Sequence, residues 1–290
     1  MRQKTRTNPS IEVKHELELL SKRMAVANRS SSSIRSYCRA IEKLSAMHEC
    51  SPRLLEKDQL IDFLYHLQEE GLQWRTIKLY VAGLRYYYQE VVGNVKLAHQ
   101  IPYPKEKPSL PVILSREELQ KVFDGCINYK HKVMFRLVYS AGLRRSELAN
   151  LKLSDIETLD GKMRIRINNS KGGKDRYTVL SSTILEELRI YFKMSKPKTY
   201  LFNGRVKGEP MSLGGIRHAL VQAVKRSGLD KRVNMHILRH CFASHALEDG
   251  LNIKTLQYLL GHQSIKTTLI YLHVSEVPLY KAFSPLDNWD

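Results

Sequence analysis

The 290-residue chain holds no uninterrupted apolar run of the roughly eighteen residues needed to span a bilayer, and its opening stretch, MRQKTRTNPS, lacks the apolar segment of a secretory leader. A membrane-embedded role is not expected; a cytoplasmic location is. Cysteine is sparse: Cys38, Cys50, Cys126 and Cys241 form no CxxC pair and read as reduced, buried thiols. There is no GxxxxGKS or GxxxxGKT loop to cradle a nucleotide, and no pair of carboxylates is spaced to hold two metal ions. Chemistry driven by ATP or by two metals is thereby excluded, and no cofactor is expected.

Negative charge is also in short supply. Against 47 Lys and Arg stand 29 Asp and Glu, which gives a formal charge of +18 and a pI near 9.7. An excess of this size points to a polyanionic partner, nucleic acid ahead of an anionic membrane surface, with solvated surface charge as the plain alternative. Residues 1–111 carry 18 basic and 12 acidic side chains and residues 112–290 carry 29 and 17, so both halves are basic. That is expected if both touch one long anion. At 42% hydrophobic residues the chain has ample material for one large core or two ordinary ones.

Residues 96–111, KLAHQIPYPKEKPSLP, hold four prolines and little apolar periodicity, the pattern of a linker. The domain boundaries are drawn at 1–100, 101–111 for the linker, and 112–290. Ahead of the linker four stretches are helical in pattern: IEVKHELELLSKRMA, SSSSIRSYCRAIEKLSAMHE, SPRLLEKDQLIDFLYHLQEEG and WRTIKLYVAGLRYYYQEVVG. In the third, Leu55, Leu60, Phe63, Leu64 and Leu67 recur at spacings near three and four, and Gly71 supplies a stop. A small four-helix domain is expected. In the fourth, Arg75, Lys78 and Arg85 share a helix with Tyr80 and the run Tyr86 to Tyr88, a combination that fits a DNA-facing surface or an aromatic core edge equally well.

Beyond the linker, Ser115 followed by Glu118 makes a capping box that opens a helix. Further on the period changes: Met163, Ile165 and Ile167 alternate with Arg164, Arg166 and Asn168, which predicts a strand, a turn over Lys171 to Lys174, and a strand returning through Tyr177 and Val179. Three more helical stretches follow, each closed by glycine. The fold class is therefore mainly α with a small antiparallel β-sheet, in an N-terminal helical domain and a C-terminal mixed domain.

The polar residues of the second half point to chemistry at a phosphate. HILRH puts His236 and Arg239 on one helix face with His240 a turn from His236, and its apolar neighbours predict a buried helix whose arginine requires an anion. A zinc site of His236, His240, Cys241 and His245 is the competing arrangement, but it lacks the acid of HExxH and any second cluster. SAGLRRSEL places Arg144 after a Gly-Leu turn, with Glu147 near enough to hold a guanidinium. The turn SKGGKDR presents Lys171, Lys174 and Arg176, a basic β-turn suited to touching phosphate. Arg144 and Arg239 together suit one phosphate held by bidentate bonds. A phenol such as Tyr271 could attack it, with a histidine as base and a lysine as acid for the departing 5′ oxygen. Gly261 should end one helix and Ser264 cap the next, with His262 in the turn and Tyr271 about two turns beyond the cap.

In order and spacing, LSREEL, YSAGLRRSELANL, SKGGKDR, HILRHCFASHALEDG and LLGHQSIKTTLIYLHV resemble the motifs of the tyrosine recombinases, or phage-type integrases, close to their Xer-like branch. The resemblance covers roughly residues 110–275. It implies a catalytic domain preceded by a helical, SAM-like core-binding domain, and cleavage and rejoining of DNA through a 3′-phosphotyrosyl link without metal or ATP. By the same resemblance Arg144 and Arg239 bind the phosphate, Lys171 is the acid, His236 the base or a phosphate contact, His262 a hydrogen-bond partner of the scissile phosphate, and Tyr271 the nucleophile. Glu147 and His240 stand behind them; Arg75, Lys78, Arg85, Lys174 and Arg176 are further DNA contacts. The implied partners are a specific double-stranded DNA site, three further copies on paired sites with the C-terminal tail as a docking element, and a second recombinase or accessory protein. A DNA-binding protein that does not cut and a type IB topoisomerase are the competing expectations.

Overall fold

The computed structural model describes residues 9–105, 111–159, 161–168, 175–206 and 208–272. Two units emerge, Met1–Pro108 and Ser109–Asp290.

In the first unit, helices α1 (Pro9–Val26), α2 (Ser31–His48), α3 (Lys57–Glu69) and α4 (Trp74–Tyr86) enclose a core that includes Leu20, Ile41, Leu44, Phe63 and Leu84. Ser30 caps α2 by accepting from the Ser33 N–H, and Glu56 with Gln59 forms a reciprocal box at the start of α3. Because the Pro52–Leu54 segment makes a separate 3₁₀ turn, Leu55 reaches the core from extended backbone rather than from the helix. The aromatic run resolves toward the core: Tyr87 and Tyr88 are fully buried in a π-helical turn, Tyr87–Val92, that extends α4. Their hydroxyls donate to Glu16 Oε2 at 2.9 Å and to the Pro52 carbonyl at 2.6 Å. Arg53 completes this cluster with two hydrogen bonds to the Glu16 carboxylate.

The first residues of the proline-rich stretch 96–111 are helical, ahead of the linker drawn at 101–111. Val95–Gln100 is a helix, α5, capped by Asn94 and anchored by the buried Leu97 and Ala98. Arg85 was expected on DNA; instead its Nε and Nη2 donate to the Ile101 carbonyl and its guanidinium lies 5.2 Å from the Tyr103 ring centroid. It ties the chain after α5 back onto α4, because a cation with a carbonyl and a ring face in reach satisfies itself locally. Lys78 also stands over Tyr103, at 5.5 Å, whereas Arg75 is exposed.

The second unit opens with α6 (Arg116–Asp124), capped as expected by Ser115 and Glu118. Helices α7 (Tyr129–Ala141) and α8 (Arg145–Asn150) follow, then three antiparallel strands in the order β1 (Ile156–Glu157), β2 (Arg164–Ile167), β3 (Arg176–Val179). Strand β1 gave no sequence signal, being two residues long. Helices α9 (Ser182–Ser195), α10 (Leu213–Arg226), α11 (Met235–Glu248), α12 (Ile253–Leu260) and α13 (Lys266–Leu269) complete the described unit. The core sits where α7 packs between α9 and α11, and α12 covers β3. The register pairs Ile165 with Thr178 and Ile167 with Arg176, so the inward residues of β3 are polar and Val179 is exposed. The predicted turn at Lys171 to Lys174 lies outside the described residues.

Tyr271 is not two turns into a helix. Helix α13 is a single turn that follows Ile265, not Ser264, and Tyr271 comes just past its end, with its N–H donating to the Thr268 carbonyl at 3.1 Å. No helix among the described residues is long and apolar enough to cross a membrane.

Candidate active site

The site forms where three chain reversals meet. At the first, Gly142 ends α7 in the left-handed region at φ +63°, and a Cβ there would lie 2.4 Å from the Phe242 ring of α11. That turn releases Arg144 as the residue before α8. The second is Gly261, also at φ +63°, which ends α12 and leads into His262; a Cβ there would stand 2.7 Å from Arg176 Cδ. The third, the β2–β3 hairpin, delivers Arg176.

Glu147 is the hub. Its Oε1 accepts from Arg144 Nη1 at 2.7 Å and Oε2 from the Arg144 N–H at 2.8 Å. Arg176 closes a two-pronged fork on the same carboxylate at 2.7 and 2.8 Å, and Arg239 Nη1 stands 3.8 Å from Oε2. Burial opposes ionisation of this carboxyl, but the hydrogen bonds and charge of Arg176, joined by Arg144, hold it down to about 2. Among the described residues one carboxylate faces three guanidiniums and leaves about two positive charges uncompensated, a cluster suited to an anion.

Arg239 carries most of that imbalance. It is 1% exposed, donating from Nη1 to the Gly142 carbonyl at 2.7 Å and from Nη2 to the Leu260 carbonyl at 2.5 Å, while its buried Nε has no partner among the described residues. Both glycine turns thus aim carbonyls at one guanidinium. Burial, then the charge of Arg144, lowers it to about 9 against the pull of Glu147. His262 Nε2 lies 3.3 Å from Arg239 Nη2, and its Nδ1 meets the buried Thr268 hydroxyl at 3.0 Å. Burial, Arg239 and Arg144 depress His262 to about 3, so the ring is neutral at pH 7.

Tyr271 is 1% exposed and belongs to a small core with Phe242, Leu247, Leu256 and Leu260. Packing and chemistry coincide here: the ring is buried, and its hydroxyl lies 2.8 Å from His240 Nδ1. Burial raises the phenol, while Arg239 and Arg144 pull it down. His236, one turn earlier on the exposed side of α11, sets its ring 4.2 Å from that of His240.

Of the residues singled out in the sequence, Arg144, Glu147, His236, Arg239, His240, His262 and Tyr271 come together. Lys171 and Lys174 lie outside the described residues. Arg176 corrects its expectation: 4% exposed, with Nε donating to the Leu259 carbonyl at 2.8 Å and both other nitrogens on Glu147, it is a structural clamp rather than a DNA contact. Its position opposite the buried Ile167 puts it on the inward face, which only the register reveals. The zinc arrangement is not formed: Cys241 Sγ accepts from the Leu114 N–H, His245 Nδ1 meets the Tyr139 hydroxyl, and His240 faces Tyr271. Among the described residues no three His, Cys, Asp or Glu are grouped to hold a metal ion.

A buried guanidinium cluster beside a buried tyrosine, on a helical scaffold with one small sheet, defines a class of protein. Residues 113–277 match the model of the phage integrase family and residues 17–95 that of the phage integrase N-terminal SAM-like domain. The chain is 36% identical over 271 residues to y4qK of Sinorhizobium fredii, described by name as an integrase/recombinase, covering 92% of this chain and 87% of that one. It is 31% identical over 254 residues to the tyrosine recombinase XerD of Listeria innocua, covering 81% and 84%. A lambda integrase (75–356) dimer bound to a COC′ core site shares the fold at a TM-score of 0.75, with 21% identity over 89% of this chain and 94% of that one. The chain belongs to the phage integrase family and is a site-specific tyrosine recombinase.

Proposed function

We propose that Tyr271 attacks a DNA phosphate held by Arg144 and Arg239, forming a 3′-phosphotyrosyl link and releasing a 5′ hydroxyl that Lys171 protonates. His262, neutral and backed by Thr268, donates or accepts at the same phosphate, and His236 lines the entry to it. A second 5′ hydroxyl then reverses the attack, so the broken bond's energy is kept in the link and no ATP is needed. The observation that carries this reading is the Arg144–Arg176–Arg239 cluster on Glu147, beside a buried tyrosine whose phenol is raised by burial and pulled back by Arg239 and Arg144.

The partners follow from the same reading. The charge of +18 serves a double-stranded DNA site contacted by both units, with Arg75 and Lys78 contributing from the first. Four copies on two paired sites perform the exchange. Support comes from a lambda integrase tetramer bound to a Holliday junction, which this fold matches at a TM-score of 0.74 and 19% identity. The reaction takes place in the cytoplasm, at the nucleoid, with a second recombinase or accessory protein where the site demands one. Residues 273–290, which include the tail given a docking role, lie outside the described residues. The test is the protein mixed with a nicked duplex chosen for tight binding from a randomised DNA pool. Wild-type protein should give a complex that survives boiling in detergent; Tyr271→Phe should bind equally well and give none.

A further inference from the structure

We propose that His240 is a further catalytic residue: its Nδ1 holds the Tyr271 hydroxyl and takes the phenolic proton as the tyrosine oxygen bonds to phosphorus. This rests on the reading of Tyr271 as the nucleophile. The geometry is direct, since the two atoms are 2.8 Å apart and the rings, 5.5 Å between centroids, are tilted by 53°. Both partners are fixed. His240 sits in the buried helix α11 immediately after Arg239, with the His236 ring packed on it, and Tyr271 is locked into the Phe242–Leu260 core.

The charge around the pair keeps the proton on the phenol until attack begins. His240 is faced by His236 and Arg239 from its own helix and by Tyr271 from the segment after α13. Burial, then His236, then Arg239 hold its imidazolium down to about 4, so in the empty site the ring is neutral; the proposed step uses the tautomer with the proton on Nε2 and Nδ1 as the lone-pair acceptor. A phosphate entering between Arg144 and Arg239 offsets the arginine charge and raises the basicity of His240. Burial raises the phenol overall, with Arg239 and Arg144 pulling against it, so the proton leaves as the Oη–P bond forms and the oxygen loses its basicity. In the step itself the Oη–P bond forms, the P–O5′ bond breaks, the phenolic proton goes to His240 Nδ1, and the 5′ oxygen takes a proton from the general acid, so atoms and charge balance. His236, exposed at the outer turn, is left to meet the phosphate.

The test is the single-turnover rate of covalent adduct formation on the selected duplex across a pH series. Asn in place of His keeps an oxygen able to accept the phenol's hydrogen bond but cannot take the proton. At neutral pH His240→Asn should be slower by roughly 10²-fold. Its rate should climb about tenfold per pH unit as the free phenolate fraction grows, closing on a wild-type rate that stays nearly flat. His240→Ala should regain rate with added imidazole, in proportion to the neutral base, which a packing role would not produce. A His240→Asn rate equal to wild type, or a deficit that is the same at every pH with no imidazole rescue of folded His240→Ala, overturns the proposal. Wild-type protein giving no Tyr271-dependent adduct overturns the nucleophile reading instead, and this inference with it.

Discussion

Each unit buries a carboxylate against arginine, one in the first and three in the second, and the two clusters are built to opposite ends. In the first, Glu16 accepts two hydrogen bonds from Arg53 and one from the Tyr87 hydroxyl. Charge cancels within the cluster, and its purpose ends with holding α1 to the Pro52–Leu54 turn and the end of α4. In the second, Glu147 faces Arg144, Arg176 and Arg239, and among the described residues two positive charges are left over. A balanced buried network stabilises a fold; an unbalanced one keeps a place for a ligand's charge. The surplus is localised at Arg239, whose Nε has no partner among the described residues and whose guanidinium is lowered to about 9.

The largest effect expected from this contrast is on chemistry. Arg239→Ala should slow covalent adduct formation by roughly 10²–10³-fold or more, the scale of losing one preorganised charge donor. Arg239→Lys should not restore it, because an ammonium cannot serve the Gly142 and Leu260 carbonyls and a phosphate together. Arg53→Ala, at the balanced cluster, should leave the adduct rate unchanged once stability is matched.

Next comes stability. Glu147→Gln removes the carboxylate that Arg144, Arg176 and Arg239 share and should cost about 3–5 kcal/mol in urea unfolding. Glu16→Gln should cost about 1–3 kcal/mol. Saturating duplex DNA should recover much of the Glu147→Gln loss and none of the Glu16→Gln loss, since only the Glu147 cluster is expected to take up a phosphate. Equal recovery of both would erase the distinction between the clusters.

The smallest effect is on the pH dependence of folding. The Glu147 carboxyl titrates at about 2 when folded, against 4.5 ordinarily. Its depressed value means that its contribution, about 3 kcal/mol, is fully present above roughly pH 4.5 and fades as pH falls toward 2. Urea midpoints followed from pH 6 to 3 should therefore drop more steeply for wild type than for Glu147→Gln, and parallel curves would contradict the assigned charge state.

Much of this was readable beforehand because the signals are local. The Ser115 capping box, the helical periods and the glycine stops depend on residues within one turn of each other, and the structure keeps them. The motif residues Arg144, Arg239, His262 and Tyr271 converge as their resemblance implied. What was illegible depends on pairing across the chain. Arg176 looked like a hairpin cation and is a buried clamp, since only the β2–β3 register turns it inward to Glu147. Arg85 looked like a DNA contact, but its partner Ile101 lies beyond a helix that the proline-rich stretch concealed. The placement of Tyr271 after a one-turn helix, with its hydroxyl on His240, follows from packing against α11 and α12 rather than from any period in GHQSIKTTLIY.

The central claim is that the unbalanced arginine cluster serves attack by Tyr271 on a DNA phosphate. Its most direct measurement is mass spectrometry of the covalent complex after nuclease and protease digestion. The account predicts a nucleotide joined through its 3′ phosphate to the peptide containing Tyr271. A nucleotide on any other residue, or one linked through its 5′ phosphate, would contradict it.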